Sequence, residues 1–335
     1  MHVPVLLQET LDYLNVEKGK KFVDGTVGSG GHLLAILSAN LQAQVLGIDL
    51  DQSSLDNLQK EITQKGLNLP AMSRNKLLSK AWQAGQRCIL IQGNYKDIEK
   101  IISQTKFGRP DGIILDLGFS SSQLDDSKRG LSFQTDGPLD MRYDLHARLT
   151  AQEVVGSYHQ KQLEQVIWDF GEEKFARRIA QAIIVARKLQ EIKNTLQLAE
   201  IIRRAIPLPV RFRAHDNIRR VFQAIRIEVN HELDNLKQFL PKALGLLKPG
   251  GRLVVISFHS LEDRIVKEFF IQEAKDCVCP PEFPTCICDK ASSIRILTRK
   301  PITASPEEIS SNPRSKPAKL RAAEKLDRKQ ITDNR

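Results

Sequence analysis

Phe22-Val23-Asp24-Gly25-Thr26-Val27-Gly28-Ser29-Gly30-Gly31-His32 decides the fold. A short apolar run enters a glycine-rich turn, and residues 33–41 then carry apolar side chains at helical spacing. Glycine lets the backbone approach a ligand closely and adopt positive φ, and the start of the following helix supplies partial positive charge. A dinucleotide turn would read Gly-x-Gly-x-x-Gly, but after Gly28 and Gly30 the third position is Leu33, which weakens that reading. Working outward, residues 45–48, 89–92, 112–115 and 252–257 repeat the pattern of short buried parallel strands. Helical spacing fills 53–65 and 233–247, the latter stopped by Lys248-Pro249-Gly250-Gly251. The expected fold is α/β, a Rossmann-like doubly wound sheet.

The alternation breaks between about 125 and 216, where 151–157, 160–170, 172–189 and 195–205 are helical in spacing with no convincing strand between them. We therefore expect one domain from 1–124 and 217–335, with a helical domain, 125–216, inserted after the fourth strand. Turn-rich sequence flanks it, Asp136-Gly137-Pro138 on one side and Pro207-Leu208-Pro209 on the other. The tail from Thr303 is polar and interrupted by proline, so loose packing is expected there.

Composition narrows the function. Of 335 residues 41% are hydrophobic and 27% charged, enough apolar surface for a folded chain. The net charge of +10 favours an anionic partner, with nucleic acid foremost. No stretch approaches the roughly 20 apolar residues of a spanning helix, and no basic leader is visible before Gln8, so a cytoplasmic location without membrane attachment is expected. A Gly-x-Ser-x-Gly elbow is absent, which argues against a serine hydrolase.

The Asp24-Gly25 opening followed by Gly28-x-Gly30 resembles the first motif of S-adenosylmethionine (SAM)-dependent methyltransferases. Asp49, ending the second strand, is placed to accept hydrogen bonds from both ribose hydroxyls of a nucleoside, or else to cap the helix that follows; for Asp51 capping is the favoured role. Tyr95 either lies against adenine or packs in the core. Asp116, at the end of the fourth strand, faces the reaction or caps its own loop. His259 can contact substrate or simply close the turn before the helix from Leu261.

The resemblance then becomes specific. His2-Val3-Pro4-Val5-Leu6-Leu7, Leu115-Asp116-Leu117-Gly118-Phe119-Ser120-Ser121-x-Gln123-Leu124-Asp125-Asp126, Arg129-Gly130-Leu131-Ser132-Phe133 and Asp136-Gly137-Pro138-Leu139-Asp140-Met141-Arg142 resemble the ribosomal small-subunit RNA cytosine-N4 methyltransferase family, RsmH or MraW. Gly171-Glu172-Glu173-x-Phe175-Ala176, Phe222-Gln223-Ala224-x-Arg226-Ile227, Ser257-Phe258-His259-Ser260-Leu261-Glu262-Asp263-Arg264 and Asn312-Pro313-Arg314 continue it in order. The resemblance implies SAM held by Gly30, Gly31, His32, Asp49, Tyr95, Asp116 and Gln123. It further implies methyl transfer to a decoding-centre cytosine of 16S rRNA in the small ribosomal subunit. Asp116 is the candidate catalytic residue, as acceptor for the cytosine amine, or else shapes the SAM pocket, and no obligate protein partner is inferred. Phe119, more often aliphatic in the family, is given no stacking role, and the lengthened block around His215 leaves that residue without an assigned one.

Two other readings stay open: an NAD-linked dehydrogenase, opposed by Leu33 and by the basic charge, and an RNA-binding assembly factor that retains SAM without turnover. RNA is expected on two basic stretches at a cleft between the domains. Residues 203–226 hold seven arginines against Asp216 alone, and residues 295–335 hold eleven basic and five acidic side chains. Arg226, in apolar surroundings, instead suits a buried pair with Glu228 or Glu232. Cys277, Cys279, Cys286 and Cys288 invite a zinc reading, but Cys-x-Cys is tighter than the usual ligand spacing, so the sequence-based expectation is no metal.

Overall fold

The computed structural model describes residues 4–64, 87–120, 123–124, 126–280, 287–288 and 290–327. The chain divides into two compact units, Met1–Gly118 with Asn235–Arg335, and Phe119–Asp234.

The first unit is built on a seven-stranded sheet. Its strands are β1 (Lys21–Asp24), β2 (Gln44–Asp49), β3 (Cys88–Gln92), β4 (Gly112–Asp116), β5 (Arg252–Ser257), β6 (Ile294–Ile296) and β7 (Lys319–Lys325), in the order β3-β2-β1-β4-β5-β7-β6. The first five are parallel; β7 joins β5 and β6 antiparallel. Alternate residues face opposite layers, as the period of two demands. After α1 (Leu7–Leu14), α2 (Gly31–Ala39) and α3 (Gln52–Gln64) bring Leu33, Ile36, Leu55 and Leu58 into one core with Phe22, Val45, Ile114, Val254 and Ile256. Val23, Leu46, Ile113, Leu253 and Val255 pack into the other with Ile98 and Ile101 of the helix Ile98–Thr105, Leu236, Phe239 and Leu240 of the helix Glu232–Leu246, and Val266 and Phe270 of the helix Ser260–Glu273. The strand order reverses between β1 and β4, where an open α/β sheet leaves a crevice at its carboxyl edge.

The tail overturns one expectation. Rather than packing loosely, β7 lies inside the sheet with Leu320, Ala322 and Ala323 buried. Its buried Arg321 is tolerated because Nε and Nη2 donate to the two oxygens of Asp263, at 2.6 and 3.2 Å. That pairing, supported by Lys319, holds the Asp263 carboxyl below its ordinary range in spite of burial.

The second unit is helical around its own core: Ala151–Ser157, Gln160–Gly171, Ala176–Leu189, Thr195–Ala205 and Ala214–Asn230. Capping boxes start helices here, among them Thr150 with Glu153 and Asn194 with Gln197. The helix expected from 172 begins only at Ala176. Glu172 takes a left-handed conformation (φ 48°), and Glu173 turns fully inward to accept from Asn217 Nδ2 and Arg220. The unit also extends beyond the expected 125–216, because Ala214–Asn230 is one unbroken helix whose Ile218, Val221, Phe222 and Ile225 belong to this core.

Candidate active site

The glycine-rich turn behaves as its composition requires. Gly28 (φ 51°) and Gly30 (φ 86°) are left-handed, and a Cβ on Gly30 would collide with Leu58 while one on Gly31 would collide with Pro4. Gly30 occupies the N-cap of α2 and brings no side chain to cover the helix's positive end.

Asp49 reaches back across this turn. Its Oδ2 accepts from Gly28 N–H at 2.6 Å and its Oδ1 from Asp51 N–H at 2.8 Å, so the second strand's carboxylate fixes the loop that β1 feeds. Burial still pushes its pKa above the ordinary carboxylate value, with those amides working against the rise. Asp51 has the local role expected of it, accepting from Ser53 N–H and Oγ at the start of α3.

A buried acid–base group occupies the strand ends beside it. Asp24, ending β1, is 1% exposed and its pKa is raised to about 7, chiefly by burial and further by Asp116 and Asp49, against the opposing effect of His32. His32 Nε2 stands 3.5 Å from Asp116 Oδ2. That is ion-pair range rather than a well-formed hydrogen bond. Burial works to lower the His32 pKa, but Asp116 and then Asp24 outweigh it and the net direction is upward. Asp116 is fixed by its backbone, whose N–H donates to Thr26 Oγ1 at 2.7 Å. Among the described residues, His32 Nδ1 and Asp116 Oδ1 are buried without a hydrogen-bond partner. Such atoms are costly in a finished protein and point to a ligand that completes them.

The structure thus brings Gly30, Gly31, His32, Asp49 and Asp116 to one sheet edge. Tyr95, just beyond β3, is half-buried, its ring edge-on to Phe239 at 5.3 Å; this is core packing on at least one side. Gln123 lies in the helical unit, where its Oε1 accepts from Ser120 N–H and its own N–H donates to Ser120 Oγ, closing a turn. His259 is the N-cap of the helix Ser260–Glu273, with Glu262 accepting from the Phe258 and His259 amides, which is the structural alternative held open for it. His215 packs against Phe133 at 5.0 Å. Arg226 pairs with both oxygens of Glu232, at 2.8 and 2.9 Å, and lies over Phe119. Sequence reasoning missed Asp24 and Thr26 as site residues. Both stand in the glycine-rich segment, but burial and electrostatic coupling cannot be read from spacing.

Similarity to known proteins gives the family. A model of the MraW methylase family matches residues 1–326. The chain belongs to that family. Proteins named ribosomal RNA small subunit methyltransferase H are similar throughout. The one from Carboxydothermus hydrogenoformans is 44% identical over 97% of this chain and 98% of its own length, and that from Heliobacterium modesticaldum is 43% identical over 97% and 98%. The relative from Syntrophotalea carbinolica, also 43% identical, covers the same shares.

For an MraW-family methylase the residues present fit SAM and oppose a dinucleotide. Asp24, Asp49 and Asp116 interact electrostatically around the glycine turn or with one another. Carboxyl groups gathered there disfavour a pyrophosphate to the extent that they are ionised, and attract a cationic sulfonium. Asp49 retains lone pairs for ribose hydroxyls beyond its two amides, and the orphaned atoms of His32 and Asp116 await polar partners.

Proposed function

We propose that the protein transfers the methyl group of SAM to the exocyclic N4 amine of a decoding-centre cytosine in 16S rRNA, acting on the small ribosomal subunit in the cytoplasm with no obligate protein partner. The observation that carries the reading is Asp116 Oδ1, a buried acceptor without a partner at the switch point of a family methylase. No helix among the described residues is long and apolar enough to cross a membrane.

Bound SAM supplies an electrophilic methyl group. Gly30 and Gly31 admit it closely, Asp49 takes the ribose hydroxyls, and His32, Tyr95 and Gln123 complete the assigned contacts. The cytosine amine is a poor nucleophile because its lone pair is delocalised into the ring. Asp116 Oδ1, accepting one N4–H, localises that pair and directs it in line with the methyl carbon, while a backbone carbonyl takes the second N–H. With the methyl group that SAM would supply going to the amine nitrogen, Asp116 would take up the proton that nitrogen loses. His32, whose Nε2 faces Asp116 Oδ2, orients that carboxylate.

The helical unit faces RNA in this reading. Of the arginines in 203–226, Arg203 and Arg204 bind Glu200, Arg220 binds Glu173, and Arg211 donates to the carbonyls of Ile206 and Arg204. Arg213 and Arg219 are exposed, and beside Arg213 the Phe212 ring is 78% exposed. An exposed aromatic with arginine suits a base and its phosphate. The C-terminal basic run contributes less, since Arg295 is paired with Glu324, Arg321 with Asp263, and Lys325 with helix-end carbonyls.

The test is transfer from labelled SAM to free RNA, DNA and small subunits from cells lacking the activity. Labelling of the subunits above the other two is expected; labelling of DNA in preference, or of none, overturns the reading.

A further inference from the structure

Cys277, Cys279 and Cys288 lie in the loop between the helix Ser260–Glu273 and β6, well removed in sequence from the residues assigned to SAM. The loop is closed at its base, where Ser293 N–H donates to Glu273 O and Ser292 N–H to Asp276 Oδ1. Beyond that neck it has no apolar anchor in its described part: Val278 and Ile287 are 47% and 70% exposed. Long connections without an apolar anchor are uncommon unless something else holds them.

The sulfurs supply that something. All three Sγ atoms lie within 4.8 Å of one another, and Cys277 Sγ is 3.7 Å from Cys288 Sγ. A tetrahedral site with Zn–S bonds of about 2.3 Å has sulfur–sulfur edges of about 3.8 Å. Each sulfur also accepts a backbone amide: Cys277 from Cys279 N–H at 3.3 Å, Cys279 from Ile287 N–H at 3.4 Å and Cys288 from Val278 N–H at 3.4 Å. Amides aimed at sulfur stabilise thiolates and orient them as the outer shell of a metal site does. Three thiolates so close repel one another without a cation among them.

We propose that Cys277, Cys279 and Cys288 bind a structural zinc ion that staples this loop. Binding forms three S–Zn bonds and releases the thiol protons to solvent, leaving one tetrahedral position for a further donor. Cys-x-Cys is tighter than the usual two to four residues between paired ligands. Here Cys288 folds back onto the first pair and sets the geometry across the loop.

The experiment is elemental analysis of the full chain, purified without chelator, together with Cys279→Ser, Cys288→Ser and, as control, Cys88→Ala, whose thiol is buried in β3. About one zinc per chain is expected in the wild type and in Cys88→Ala, falling to less than about a tenth in the two serine variants. Should a serine variant not fold, cobalt loading of the wild type serves instead, with thiolate-to-cobalt charge transfer and tetrahedral visible bands expected. A wild type without zinc that takes up none, zinc retained in both serine variants, cobalt without thiolate bands, acid-labile sulfide with iron, or a Cys277–Cys288 disulfide in place of metal would each overturn the proposal.

Discussion

His32 Nε2 and Asp116 Oδ2 face each other at 3.5 Å, joining the first residues of α2 to the end of β4. Because the partner carboxylate overcomes burial, the imidazole titrates above its ordinary 6.5. A histidine whose folded pKa is raised contributes stability that is complete below the unfolded pKa and is lost as pH rises through the folded one. NMR titration of the SAM-free protein should place the His32 midpoint above 6.5, and Asp116→Asn should move it down. A midpoint unaffected by Asp116→Asn would mean that the pair is not coupled.

Asp24 carries a slope of the same sign, in a more acidic window. Its folded pKa of about 7 lies above the ordinary 3.8, so the fold prefers the neutral acid. Its effect on stability is therefore most favourable below 3.8, declines as pH rises toward about 7 and is level beyond. Asp24→Asn, which resembles the neutral acid, should flatten that decline. Urea midpoints of both proteins at pH 5 and pH 8 measure it, and an equal fall in the two would reject the assignment.

Leu320, fully buried on β7, tests whether the tail belongs to the core. Leu320→Ala should cost about 2–5 kcal/mol, the range for a leucine removed from a packed interior. Denaturant unfolding is the check; a loss under about 0.5 kcal/mol would be that of a surface site.

The contrast between β7 and the first five strands shows what sequence alone conveys. Runs such as Val45 to Ile48 and Leu253 to Ile256 are apolar on both faces, so burial in a parallel sheet is written in them. Lys319-Leu320-Arg321-Ala322-Ala323-Glu324-Lys325 reads as polar because its burial depends on Asp263, some sixty residues away in the chain, to neutralise Arg321. The helix Ala214–Asn230 was cut at 216 because the prolines before it look like a boundary, while its apolar face is defined only by the helices it meets. In the site, Asp49 and Asp116 are legible from strand-end position and Gly30 from the glycine-rich turn, whereas His32 comes only with the family resemblance. Asp24 is not legible, since its role comes from burial among other charges. Nor is the meeting of Cys277 with Cys288, which a loop's path decides.

Arg213, Arg219 and Phe212 are the exposed residues to which RNA contact is assigned. Phosphate contacts release counterions, so each should contribute roughly −0.7 to −0.9 to the log–log salt slope of subunit binding. Changing Arg211, Arg213 and Arg219 together to Gln should make that slope shallower and abolish methylation while SAM affinity stays nearly intact; Phe212→Ala should weaken subunit binding with little change in slope. Binding across a salt series decides, and an unchanged slope with full activity would return these arginines to solvent.

The most direct test of the central claim is the chemical identity of the methylated nucleoside. Small subunits treated with the wild-type protein and SAM are digested to nucleosides and analysed by chromatography and mass spectrometry, in parallel with Asp116→Asn protein whose SAM affinity has been measured. The account predicts N4-methylcytidine, mapped to one decoding-centre position of 16S rRNA, and its loss in Asp116→Asn at a rate deficit larger than any deficit in SAM binding. A methyl group on a ring carbon, on ribose or on another base would contradict it, as would full N4 methylation by the Asp116→Asn protein.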